Sequence, residues 1–183
     1  MLSNNNQNVK KVESKSTNRS FNKWLKIAHV FFTITWLGYL IVLGSLIFFK
    51  PEITSGDALY YLNSIIYRID NSLMIVAPIG SLITGIMLSK KMKNGLFAHW
   101  WVIVKLILTV AIILISILYL APASTGLYEI SGKLGLAALT DETYMSYFTR
   151  LSILNPINIF LLLFMMYLAY FKPWGKRTPK QKD

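Results

Sequence analysis

The chain contains no cysteine, and charged residues make up only 15% of its 183 positions. Without cysteine there can be no disulfide bonds, no thiolate metal sites and no cysteine nucleophile. Soluble domains usually carry about 25% charged residues, so the low charged fraction argues against a soluble protein. Histidine is also scarce, with two in the whole chain. The sequence contains no strong catalytic motif, which favours a non-enzymatic role but leaves an enzyme open.

Long apolar runs are what the chain has instead. Hydrophobic residues form 54% of the sequence and the mean hydropathy is +0.48. Four runs of 23, 17, 21 and 19 residues are almost free of charge, namely residues 27–49, 72–88, 100–120 and 153–171. A hydrocarbon core of about 30 Å needs about 20 helical residues to cross it. The sequence therefore predicts an all-α membrane protein, an antiparallel bundle of four transmembrane helices.

Two of these helices are expected to extend beyond their apolar runs. Residues 58–69 keep a helical spacing of apolar side chains, which indicates that the second helix begins well before residue 72. Thr140, Asp141 and Glu142 form a typical helix start ahead of the fourth run. The dipeptide Asn155-Pro156 then either kinks that helix or begins a new one.

The apolar runs also divide the chain into three parts. Residues 1–23 are polar, and we expect a disordered cytoplasmic tail there rather than a cleaved signal peptide. Residues 24–175 form the transmembrane domain. Residues 176–183 form a basic cytoplasmic tail.

Lysine and arginine predict the orientation of the bundle. Basic residues in short loops favour the cytoplasmic side, and most of those in this chain fall at the two termini and between the second and third runs. These residues are Lys10, Lys11, Lys15, Arg19, Lys23, Lys26, Lys90, Lys91, Lys93, Lys172, Lys176, Arg177, Lys180 and Lys182. Both termini are therefore expected in the cytoplasm, with the protein in the plasma membrane of a bacterium.

The net charge of +11 bears on which partners the protein binds. Because the basic residues flank apolar runs, we expect them to meet anionic lipid headgroups rather than nucleic acid. A membrane protein partner or a second copy of the chain is a further possibility.

Small residues recur at four-residue spacing in the second run, at Ala77, Ser81 and Gly85. Such a stripe allows another helix to approach closely, and helix packing is the interpretation we favour. A flat cofactor lying against the stripe is the alternative.

Three residues near the cytoplasmic side are candidates for cofactor binding. His29 in the first run and His99 at the start of the third are expected at similar depth, as two axial ligands of a haem b would be. Lys105 is the one charge well inside an apolar run. It either extends its ammonium to the membrane surface or binds an anionic group such as a propionate, phosphate or carboxylate. Packing or hydrogen bonding is the alternative role for His29, and an interfacial position the alternative for His99.

A second group of polar residues is expected at the outer rim. Arg68 and Asp70 precede the second apolar run, while Arg150 and Asn155 lead into the fourth. If the two helices are neighbours, Asp70 can form an ion pair with Arg150. The alternative is a mouth that binds a small polar ligand.

Several short motifs resemble a known family. They are Trp24-Leu25-Lys26 with His29, Ile69-Asp70, Thr84-Gly85, His99-Trp100-Trp101 with Lys105, and Lys172-Pro173-Trp174-Gly175. Together these resemble a bacterial family of small four-helix integral membrane proteins of unknown function, over most of residues 24–175. The first helix is also similar to that of CopD-domain proteins and HemJ-type protoporphyrinogen oxidases. The first resemblance implies the four-helix topology, and the second implies the handling of haem or copper.

Three functions remain open on the sequence. The leading hypothesis is an accessory or interaction subunit of the membrane. The second is a membrane redox protein that binds haem b through His29. The third is a transporter-like protein with a site in the inner leaflet near Lys105.

Overall fold

Six α-helices form the structure, which is a computed structural model describing residues 2–48, 53–92 and 99–174, with side chains from residue 20 onward. The helices are α1 (Leu2–Phe48), α2 (Gly56–Leu73), α3 (Val76–Lys90), α4 (Trp100–Ile115), α5 (Ala121–Leu134) and α6 (Glu142–Phe171). Four segments are long and apolar enough to cross a membrane, namely Ser20–Phe48, Gly56–Lys90, Trp100–Thr140 and Glu142–Phe171. The predicted all-α, four-helix membrane bundle is confirmed.

Proline divides the second segment into two helices. The ring of Pro78 has no N–H to offer the carbonyl of Met74, and α2 gives way to α3 at Met74 and Ile75. The break lets the two helices pack on different neighbours. Helix α2 lies mainly against α5, and α3 lies mainly against α1.

The third segment is interrupted in the same way. Pro122 cannot donate to the carbonyl of Leu118, and the chain forms a short π-helix over Ser116–Leu120 between α4 and α5. A 3₁₀-helix, Gly135–Thr140, then leads to α6. Both long segments therefore change packing partners about midway.

The expected extensions of the second and fourth helices are present. At the start of α2, Ser55 accepts a hydrogen bond from the backbone N–H of Ala58 at 3.1 Å. At the start of α6, the Asp141 carboxylate accepts the N–H of Tyr144 at 2.8 Å. Both are N-caps. Because α6 continues through Pro156 without interruption, the alternative that a new helix begins there was wrong.

The N-terminal segment differs from the disordered tail that we expected. Helix α1 begins at Leu2 and is continuous with the first membrane segment. No glycine or proline precedes Gly38, so nothing in the sequence stops the helix, and extending an existing helix needs no new nucleus. Lys93 and the basic tail of residues 176–183 lie outside the described residues.

The bundle has two recognisable ends. At one end, Lys91 donates to Asn22 at 2.6 Å, and the Lys172 ammonium lies 5.9 Å from the centroid of the Trp101 ring. We call this the lysine end. At the other end, Gly56 packs so closely on Gly135 that a Cβ on Gly56 would lie 3.0 Å from the Gly135 Cα. We call this the glycine end.

We divide the bundle into two halves, one toward each of these ends. The cavity half comprises residues 20–36, 76–92, 99–115 and 159–174, and the packed half comprises residues 37–48, 53–75 and 116–158. The hydrophobic core is densest in the packed half. Its fully buried side chains include Leu43, Leu59, Leu120, Leu127 and Leu151.

Candidate functional site

A cavity of about 300 Å³ lies among α1, α3, α4 and α6 in the cavity half. Most of its lining is apolar, and a small number of polar side chains converge on it: Lys26, His29, Thr33, Ser81, Ser89, Lys105 and Thr109. An apolar cavity with a few convergent polar groups is the usual form of a small-molecule site. The candidate site therefore lies inside the membrane-spanning part of the bundle, on the lysine-end side.

His29 is held in one orientation by α3. Its Nδ1 atom lies 3.1 Å from the carbonyl oxygen of Ser81 and 3.0 Å from the hydroxyl of Thr84. A carbonyl oxygen can only accept, so Nδ1 carries the hydrogen and Nε2 of the neutral ring carries a lone pair. Across the described chain, Nε2 has no hydrogen-bond partner. The imidazole of His29 can thus offer Nε2 to a ligand.

Gly85 makes this arrangement possible. A Cβ atom at Gly85 would lie 3.1 Å from Cε1 of His29, which is closer than side chains normally allow. One turn earlier, a Cβ on Gly80 would lie within 2.5 Å of the Phe32 ring. Ala77 and Ser81 of the small-residue stripe are both buried. The stripe of α3 therefore faces α1, as the packing interpretation expects.

Lys105 lines the same cavity as His29. Neither a carboxylate nor any other acceptor binds its ammonium within the described ranges, and the cavity wall also includes Trp101, Val102 and Leu106. A lysine in an apolar membrane segment is costly unless the charge finds a partner or water. The structure thus brings an unpartnered cation and an oriented imidazole to one cavity.

His99 is not part of this arrangement. It lies just before α4 with its ring centroid 6.2 Å from that of Trp101, and it is absent from the lining of the cavity. The cavity therefore unites His29 with Lys105 and leaves out His99. The physical reason is that His99 has an extended backbone (φ −131°) and precedes the first turn of the helix.

The outer-rim cluster is not formed as we predicted. Asp70 is only 1% exposed and accepts hydrogen bonds from the hydroxyls of Tyr39 and Ser124. Arg150 is exposed, with its guanidinium 5.6 Å from the centroid of the Tyr147 ring. The predicted ion pair between Asp70 and Arg150 is therefore replaced by two hydroxyl contacts.

The same correction applies to the other two members of that group. Arg68 is exposed, and its Nε donates to Ser64 on the same helix at 3.3 Å. Asn155 is fully buried and donates from Nδ2 to the carbonyl of Leu40 at 3.2 Å. The sequence placed Asp70 and Asn155 at a rim because they flank apolar runs. Both instead lie within longer helices, where the neighbouring helices cover them.

Sequence reasoning missed a set of buried polar side chains in the packed half. Asn63 donates to the hydroxyl of Tyr144 at 3.1 Å. Asn158 is 1% exposed, and neither of its polar atoms has a hydrogen-bond partner among the described residues. A signal was available, because Asn155 and Asn158 continue the three- and four-residue spacing of buried Leu151, Leu162 and Met165 along α6.

A second depression lies at the glycine end, lined by Asp57, Tyr60, Tyr128, Glu129 and Lys133 among others. The hydroxyls of Tyr60 and Tyr128 are 3.1 Å apart, and Tyr128 stacks on Tyr67 with centroids 4.8 Å apart. The lining mixes both signs of charge and is rich in tyrosine. This lining differs from that of the cavity, where lysine side chains meet a largely apolar wall.

The fold and the apolar segments define a multi-pass α-helical membrane protein. Comparisons with protein-family models, with curated proteins and with solved structures find no match to this chain. The candidate site therefore has to be interpreted from its own chemistry.

Proposed function

We propose that this protein binds an anionic amphiphile, a molecule with an apolar body and a carboxylate or phosphate head, in the cavity between α1, α3, α4 and α6. This is a specific form of the transporter-like hypothesis with a site near Lys105. It is compatible with the role of an accessory or interaction subunit, since a ligand-binding protein can also serve a larger assembly.

The observation that carries the proposal is the ammonium of Lys105. It lines a largely apolar cavity and has no acceptor or anion among the described side chains. An anionic head would provide the missing partner, and an amine–anion contact in a low-dielectric site is much stronger than in water. The apolar wall from Leu82, Leu106 and Leu162 would accommodate the rest of the ligand.

His29 and Lys26 add to the same preference. Lys26 lines the cavity as a second cation. The lone pair on Nε2 of His29 suits a ligand hydroxyl or a protonated acid as donor. On protonation the same imidazole becomes a further cation. The polar groups of the cavity thus favour a negatively charged head and an apolar tail.

The expected orientation of the bundle also supports a binding site that the ligand reaches from the cytoplasm. The excess of lysine at the lysine end favours that end facing the cytoplasm, with both termini inside. Anionic lipids are enriched in the cytoplasmic leaflet, where basic residues attract them. We propose the bacterial plasma membrane as the location of the protein.

The test is ligand-dependent stabilisation of the purified protein in nanodiscs of zwitterionic lipid. Three 16-carbon reagents share one tail: palmitate, hexadecyl phosphate and hexadecanol. We expect one or both anions to raise the melting temperature, because a ligand that binds the folded state stabilises it, and we expect the alcohol not to do so. Preference for the phosphate would indicate a lipid-type headgroup, and preference for palmitate a free carboxylate.

A matched pair of variants locates the site. Lys105→Met should weaken binding of the anion about tenfold or more, equivalent to about 1.4 kcal/mol, since it removes the charge but keeps the length of the side chain. Lys90→Met removes an exposed lysine of α3 and should leave binding unchanged. Equal stabilisation by the alcohol, or unchanged binding in Lys105→Met, would overturn the proposal.

A haem-binding redox protein is the second candidate, and the orientation of His29 favours it. A histidine that ligates a metal usually donates its other ring N–H to a carbonyl or carboxylate, as Nδ1 of His29 does to Ser81. With His99 away from the cavity, the residues that would hold a haem are His29, through Nε2, and Lys105, through a propionate.

The absorption spectrum of the protein, expressed with added haem, tests this candidate. A Soret band that His29→Ala abolishes and His99→Ala leaves unchanged would support it. A colourless wild-type protein would remove it.

A further inference from the structure

The packed half contains a carboxyl group that the cavity does not use. Asp70 on α2 is 1% exposed, and both of its oxygens contact hydroxyl groups, one from Tyr39 on α1 and one from Ser124 on α5. The Ser124 Oγ lies 2.5 Å from Oδ2. Three helices therefore converge on one carboxyl group.

The depth of this group follows from its contact with Tyr39. Tyr39 lies 12 residues beyond Ile27, which is roughly 18 Å along a helix and well inside a core of about 30 Å. Asp70 meets α1 at that level. Measured from the start of the first apolar run, the carboxyl group thus lies at a level inside a hydrocarbon layer of that thickness.

Among the side chains that the structure describes, no cation contacts Asp70. Tyr39 is the titratable side chain in contact with it from α1, and the 3₁₀-helix Gly135–Thr140 carries none. On α5, the ionisable groups Tyr128, Glu129 and Lys133 lie one or more turns closer to the glycine end than Ser124. On α3 the basic group is Lys90, at the lysine end, and on α2 itself Arg68 turns to Ser64. A lone ionised carboxylate in such a place is costly.

The hydrogen-bond pattern around the two hydroxyl groups is compatible with one additional proton on the Asp70 carboxyl group. Ser124 Oγ lies near two acceptors, Oδ2 of Asp70 at 2.5 Å and the carbonyl oxygen of Ala121 at 3.1 Å, yet it has a single hydrogen. If Asp70 carries a proton on Oδ2, it donates to Ser124 Oγ, and Ser124 then donates to Ala121. Tyr39 continues to donate to Oδ1. Every hydrogen has an acceptor and no charge is buried.

From this geometry we infer that Asp70 is a proton-binding site within the membrane, formed with the hydroxyls of Tyr39 and Ser124. The ligand is a single proton, and the bound state is the neutral carboxylic acid. The site is separate from the cavity of the proposed function, and neither depends on the other.

Infrared spectroscopy of the protein in nanodiscs at neutral pH tests the inference directly. We expect a carbonyl stretching band of a protonated carboxylic acid in the wild-type protein, which Asp70→Asn removes. Asp57→Asn is the matched control, because Asp57 is an exposed aspartate on the same helix. A wild-type spectrum without such a band, or a band that survives in Asp70→Asn, would overturn the inference.

A second variant keeps the test decisive if Asp70→Asn does not fold. Ser124→Ala removes the acceptor of the carboxylic acid proton, so the same band should move to higher frequency, as expected for a weaker hydrogen bond. The melting temperature of the wild-type protein should also fall as the buffer is made alkaline, because ionisation leaves an unpaired charge in the bundle. A melting temperature that instead rises with added sodium at constant pH would indicate a metal cation in place of the proton.

Discussion

The two halves of the bundle differ in the surroundings of their polar side chains. In the packed half, several buried polar groups are bonded to one another, as in the contacts of Tyr39 with Asp70 and of Asn63 with Tyr144, while Asn158 is enclosed without a described partner. In the cavity half, Lys105 and Nε2 of His29 line or adjoin a cavity and lack partners among the described residues. The difference arises because α2 packs on α5, whereas α3 and α4 pack mainly on α1 and α6 and leave a space between them. In this bundle, polar groups are therefore enclosed where the helices meet and available for binding where they separate.

The largest expected contrast concerns which half faces the cytoplasm. Lys133→Cys lies near the glycine end and Lys90→Cys near the lysine end, and both positions are exposed. The chain has no other cysteine, so each label reports a single site. On intact cells, an impermeant thiol reagent should label position 133 and not position 90. The opposite pattern would reverse the proposed orientation and place the cavity near the outer leaflet.

The next largest effect should come from overfilling the contact between α1 and α6. A Cβ atom at Gly44 would lie 2.7 Å from Nδ2 of Asn155, which is already bonded to Leu40. Gly44→Leu should therefore destabilise the protein by about 3 kcal/mol, measured by unfolding in detergent. Gly38→Leu is the control, because a Cβ there meets no atom within 4 Å. Equal melting temperatures for the two variants would contradict the tight packing of this half.

A smaller loss is expected when a polar pair of the packed half is broken. Tyr39→Phe keeps the ring but deprives Asp70 of one hydroxyl, and leaving a buried acceptor unsatisfied costs about 2 kcal/mol. Tyr61→Phe, at a tyrosine that is 65% exposed, should have no measurable effect on the melting temperature. If both variants melt like the wild-type protein, the contact between Tyr39 and Asp70 contributes nothing to stability.

The smallest expected effect is a gain in stability rather than a loss. Both polar atoms of Asn158 are buried and have no hydrogen-bond partner in the part of the chain that the structure describes. Asn158→Leu is close in size and removes them, so it should stabilise the protein by about 1 kcal/mol. Asn155→Leu should not, because it also removes the bond to Leu40. A destabilised Asn158→Leu would show that Asn158 has a partner, such as a buried water, that makes it part of the structure.

Local sequence signals account for most of the fold. The four segments follow from runs of apolar residues, because a bilayer excludes any spanning segment that does not satisfy its own backbone. The start of α6 follows from Asp141, whose carboxylate caps the helix. The break between α2 and α3 follows from Pro78, which has no N–H to continue the helix.

The candidate site was only partly predictable. His29 and Lys105 stand out because ionisable residues are rare in apolar runs, and the structure places both on one cavity. His99 was paired with His29 on depth alone, and depth does not say which way a side chain faces. Asp70 was assigned to the rim because hydropathy marks where an apolar run ends, while the helix continues to Gly56.

The sequence by itself thus determined the class of protein, the number of spans and the residues able to carry charge or bind a ligand in the membrane. Those properties depend on composition and on neighbours along the chain. Only the tertiary structure decided that Asp70 meets Tyr39 and Ser124, that Asn155 reaches Leu40, and that Lys105 has a cavity beside it. Each of these depends on which helices touch and at what height, and helix contacts in a membrane are set by shape and backbone approach rather than by hydropathy.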